Sequence, residues 1–84
     1  MSTNNRTIPA ETARHVLWHY GAEGGYQPGN FTQKLMATIA AADVIHTTRL
    51  LTVYPDLVYA MTLAGTREDG IKRLQAVAAG EAAA

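Results

Sequence analysis

The chain has 84 residues, 48% of them hydrophobic and 17% charged, a balance that fits one small globular domain and excludes a disordered chain. Seven basic residues offset seven acidic ones, so the formal net charge is zero and only a local patch could attract nucleic acid or an anionic membrane. The absence of cysteine removes disulfides, thiolate nucleophiles and thiolate metal ligands together, and suits a cytosolic protein.

Alanine is abundant and β-branched runs are scarce, which favours helix. Residues 1–6 are polar and read as a flexible N-terminus, 7–80 as a helical domain, and 81–84 as a flexible tail. The first helix is expected to start near Thr7 to Pro9, with threonine as cap and proline in the first turn. Its apolar stripe, Ala13, Val16, Leu17 and Tyr20, has the i, i+3, i+4, i+7 spacing of a buried helix face. Gly21 would end it in the left-handed conformation.

A glycine-rich connector follows, GAEGGYQPGNF from Gly21 to Phe31. Within it, Gln27-Pro28-Gly29-Asn30 fits a type II turn, with proline at i+1 and glycine at i+2. Asn30 and Gln33 have the spacing of a capping box. Phe31, Leu35, Met36, Ile39 and Ala40 then give the second helix its inner face. Asp43 can stop that helix or cap the next, in which Thr47, Leu50, Leu51 and Tyr54 repeat the amphipathic spacing.

Pro55 forces a bend at Tyr54, because the residue before proline is disfavoured in the α conformation. The fourth helix would carry Leu57, Val58, Met61 and Ala64 inward and close at Gly65. Thr66 with Asp69 offers another capping box, and Ile71, Leu74, Val77 and Ala78 form the inner side of a fifth helix. Gly70 weakens that helix by about 1 kcal/mol relative to alanine. The expected fold is all-α, a compact single domain of about four to five short helices. At roughly 0.05–0.15 kcal/mol per residue, its net stability is about 4–13 kcal/mol.

Little in the sequence suggests an enzyme or a cofactor. The only serine is Ser2, and no acid–histidine–nucleophile set can be assembled. The glycine loop follows a helix rather than a strand and lacks both GxGxxG order and a Gly-Lys-Ser/Thr ending, so it is no phosphate cradle. His15 and His19, four apart on one helix with Glu11 a turn earlier, have ligand-like spacing. Zinc usually needs a third protein ligand, so two surface histidines are the plainer reading. The longest uncharged helical stretch, Leu57 to Thr66, is far short of the ~20 residues a membrane span requires. A cytoplasmic location is expected.

Two binding surfaces can be drawn. Trp18 lies off the main stripe of the first helix, with Arg14 one turn before it and Tyr26 and Pro28 in the glycine loop. Tryptophan, tyrosine and arginine dominate interface hot spots, so these four, with Tyr59 on the fourth helix, are the expected partner-binding residues. The plainer reading has Trp18 packed over the loop. The alternative is a helix-turn-helix over 32–51, with His46, Thr47, Thr48 and Arg49 on a recognition helix. Its single arginine and the neutral chain leave few phosphate contacts.

The string GGYQPGNFTQKL, with Tyr54-Pro55 and Asp69-Gly70-Ile71 downstream, resembles small uncharacterised proteins of actinobacterial tailed phages and their hosts. The resemblance runs from the first helix to Leu74 and carries no assigned activity. It implies a small accessory protein at work in the cytoplasm of a bacterial host cell. The expected function is non-enzymatic: a module that binds a protein partner, whether a host protein or a second copy of itself.

Overall fold

The computed structural model describes residues 8–80. These form five helices and, among the described residues, no strand: α1 (Ala10–His19), α2 (Asn30–Ala41), α3 (Val44–Val53), α4 (Pro55–Thr66) and α5 (Gly70–Ala78). The all-α single small domain is therefore as expected. The expected Thr7 cap and the two flexible termini lie outside the described residues.

Helix α4 is the centre, touching α1, α2, α3 and α5. The sequence explains why: Val58, Ala60, Met61 and Leu63 are all buried, with Leu57, Tyr59 and Ala64 packed against the same core. A helix that is apolar nearly all round belongs inside. Against it lie Ala13, Val16 and Leu17 of α1, each 0% exposed, and Leu74, Val77 and Ala78 of α5. Ile8, just before the N-cap Pro9, is 2% exposed and joins them, at the position from which a hydrophobic staple fixes the entry of the chain.

The α4–α5 contact explains Gly70. A Cβ there would overlap the Leu63 carbonyl oxygen, so glycine's cost in helix propensity is offset by close backbone packing. At the other end of the core, α1 stops in a Schellman motif. Gly21, at φ 69°, donates to the Trp18 carbonyl, and Ala22 donates to that of Leu17.

Several local expectations need correction. Gly29 has φ −66° rather than the positive value of a type II turn, and it is the N-cap of α2 without a side-chain cap bond. No capping box forms there: Gln33 Nε2 instead donates to the Pro28 carbonyl at 2.7 Å. Thr66 is the last residue of α4 and donates to Thr62, while Asp69 turns to Arg67. Gly65 lies inside α4, where the Tyr20 hydroxyl approaches to 3.1 Å of where its Cβ would stand. Asp43 does cap α3, and the bend at Tyr54 is present.

Candidate functional site

The glycine loop is bonded to the helices on either side of it. The Tyr26 N–H donates to the Arg14 carbonyl at 3.0 Å, and Gln75 Nε2 of α5 donates to the Glu23 carbonyl at 3.0 Å. A Cβ on Gly25 would stand 2.5 Å from the Trp18 backbone nitrogen, so only glycine lets the loop lie this close to α1. The sequence offers no structural reason for the middle of this loop. The reason is tertiary.

The expected partner-binding residues do not make one free surface. Arg14 donates from its guanidinium to the Ala78 carbonyl at 2.9 Å, a cation placed on the C-terminal end of α5, where the helix dipole is negative. Trp18 is half-buried and packed against the core, as the plainer reading had it. Pro28 is buried and is withdrawn from the contact surface. Tyr59 is half-buried against the core and has a partner of its own. Tyr26 remains 63% exposed, its ring stacked on His15 at a centroid distance of 6.1 Å.

The two α1 histidines are occupied by neighbours. His15 Nε2 lies 3.9 Å from Glu11 Oε2, and His19 meets the Tyr20 ring edge-on at 5.0 Å. Among the described residues, no group of three or more histidine, cysteine, aspartate or glutamate side chains is placed to hold a metal ion. No helix among them is long and apolar enough to cross a membrane.

The feature that periodicity missed is α3. Its ten residues include none that is buried. The side facing α4 carries Thr47, Leu50 and Tyr54, all half-buried, while Leu51, expected with them, is exposed. Beyond them Val44 is 82% exposed, Ile45 60% and Val53 65%. Alternation could not reveal this, because VIHTTRLLTV has apolar side chains around its whole circumference and its main packing partner, α4, covers one side. Part of α2 shares the fate: Phe31, at 64% exposure, and Ala40 were expected inside. Phe31 lies 6.5 Å from the Tyr54 ring, at the C-terminal end of α3.

The proposed DNA-reading residues lie at this same helix. His46, Thr48 and Arg49 are exposed and Thr47 is half-buried. The Asp43 carboxylate accepts from the His46 backbone N–H at 2.8 Å and meets His46 Nδ1 at 2.7 Å. These two contacts, the backbone one first, hold the Asp43 carboxyl below its ordinary 3.8. Asp43, His46, Arg49 and Leu50, with Thr38, Ala41 and Ala42, line a shallow groove of about 540 Å³.

The outer face of α3 differs in character. Val44, Ile45, Thr48, Leu51 and Thr52 share one side at i, i+1, i+4, i+7 and i+8. All five are exposed and none carries a charge. The Thr48 hydroxyl donates to the Val44 carbonyl at 2.9 Å and that of Thr52 to the Thr48 carbonyl at 3.3 Å. Both donors are thus engaged within the helix itself.

The fold and its surfaces define a small all-α domain in which α3 leaves Val44, Ile45, Leu51 and Val53 exposed. No family model, curated protein or solved structure matches this chain.

Proposed function

We propose that this chain is a non-enzymatic protein-interaction module whose docking surface is the outer face of α3. One observation carries the reading: α3 buries no residue, yet holds Val44, Ile45 and Leu51 exposed on one uncharged face. Apolar patches of this kind on small proteins mark contact sites. The resemblance to phage and host proteins supplies a setting, the cytoplasm of a bacterial host cell, in which a host protein is one class of partner. The α1 and loop residues have less support as a contact surface, since Arg14, Trp18 and Pro28 are engaged or covered within the fold.

The DNA reading also has less support. Arg49 is the one arginine on α3, Asp43 stands beside His46, and the chain is neutral. Duplex DNA should therefore not be retained even at low salt.

The docking reading is tested by capture from a bacterial lysate with the wild-type chain, Leu51→Lys and Tyr26→Ala side by side. A protein retained by wild type and by Tyr26→Ala, but lost with a normally folded Leu51→Lys, supports it. Retention that survives Leu51→Lys and fails with Tyr26→Ala contradicts it.

A further inference from the structure

We infer that the groove between α2 and α3 binds a small monocarboxylate with an apolar body, its carboxylate on Arg49 and its body against Ala41, Ala42 and Leu50. This goes beyond the docking reading and does not depend on it, since none of the outer-face residues of α3 lines the groove. The groove follows from where α2 stops. Ala41 ends that helix and Ala42 is its C-cap, so two methyl side chains stand where the chain turns into α3. His46, Arg49 and Leu50, at i, i+3 and i+4, line the space from the α3 side. Small side chains opposite larger ones leave about 540 Å³, within the roughly 300–1,000 Å³ of small-molecule sites.

Most polar groups around this space are already engaged. The Thr38 hydroxyl donates to the Lys34 carbonyl at 3.0 Å. One oxygen of Asp43 meets both the His46 backbone N–H and His46 Nδ1. The Arg49 guanidinium is different: among the described residues it has no ion-pair or hydrogen-bond partner. Helical side chains lean toward the N-terminus, which is how Arg49 comes to line a groove at the first turns of α3.

Charge and shape together select the ligand. An unpaired guanidinium is complemented by an anion, and its planar fork matches a carboxylate through two parallel N–H···O bonds. Asp43 is a fixed negative charge on the same groove. Like-charge repulsion therefore favours a monoanion over the dianion of a phosphate monoester. Ala41, Ala42 and Leu50 offer contact to an apolar body and no side-chain donor or acceptor. Because Arg49 is exposed, the ion pair is weakened by solvent, and the dissociation constant should be on the order of 1 mM.

Two-dimensional NMR of the isotope-labelled whole chain, titrated at neutral pH with naphthoate, tests this. Naphthoate should shift the amides of Ala41, Ala42, His46 and Arg49 saturably. Naphthol, which has the same body without the charge, and naphthyl phosphate, the dianion, should each bind at least fivefold more weakly. Arg49→Gln should weaken naphthoate about fivefold, and Ala41→Leu should weaken it by filling the groove. Both positions are exposed, so both variants should keep the helical far-UV signal and the melting temperature. Leu51→Lys, outside the groove, should leave naphthoate binding unchanged, so loss of the docking reading and loss of this one are read separately. The inference is overturned by no saturable shift up to about 10 mM, or by shifts centred on Val44, Ile45 and Leu51 instead. Equal affinity for naphthol or naphthyl phosphate overturns it too, as does binding indifferent to Arg49→Gln or to Ala41→Leu.

Discussion

The same amphipathic spacing occurs in α1 and in α3, and the two helices end in opposite circumstances. In α1, Ala13, Val16 and Leu17 are all 0% exposed. The helix is held by the glycine loop along its backbone and by Arg14 on the end of α5. In α3 nothing is buried, and its apolar residues point to more sides than its main packing partner, α4, can cover. A periodic stripe therefore states what a helix could bury. Whether it does depends on how many sides are given a neighbour.

The sharpest way to break this contrast is by substitution on each side of it. Gly70→Ala forces a Cβ onto the Leu63 carbonyl and should cost about 3 kcal/mol. Leu17→Ala, from a site that is 0% exposed, should cost about 3 kcal/mol. In a domain of this size each kcal/mol lowers the melting temperature by roughly 4–8 °C. Leu51→Ala, the same chemical change on α3 at a site 37% exposed, should cost only about 1 kcal/mol. Equal losses for the two leucines would erase the distinction between the helices.

Smaller effects sharpen it. Arg14→Ala removes the bond to the Ala78 carbonyl and should cost about 1 kcal/mol, measured by urea denaturation at neutral pH. At α3 the corresponding device is the Asp43 cap. Its carboxyl is held below the ordinary 3.8 in the folded chain. The charged cap therefore stabilises fully above about pH 4, and this support is lost as pH falls through the lower folded value. Asp43→Asn keeps a capping side chain without the charge. The difference in melting temperature between the two chains should narrow as pH drops below 3.8. A constant difference from pH 7 to pH 2 would assign the cap no electrostatic part.

Much of the fold was legible in the sequence, and the exceptions share a cause. The five helices, the αL stop at Gly21, the Asp43 cap and the bend before Pro55 are local, set within a few residues. The missed features are tertiary. Gly25 and Gly70 are glycines because another backbone lies against them, and nothing in their own neighbourhoods says so. Gln33 had the spacing for a cap yet bonds to Pro28. The engagement of the α1 residues is hidden for the same reason. Trp18 and Arg14 have the residue types of a hot spot, but α1 sits between the loop and α5 and spends both on the fold. Val44 and Ile45 read as ordinary core residues from the sequence, because an apolar side chain in a helix does not say whether a neighbour covers it.

Hydrogen exchange of the backbone amides, followed by NMR in dilute protein, tests the central claim most directly. Helices with few buried contacts open locally at low free energy. Amides of α1, α4 and α5 should exchange only through global unfolding, and those of α3 much faster in dilute protein. Protection of α3 equal to that of α1 would contradict the account.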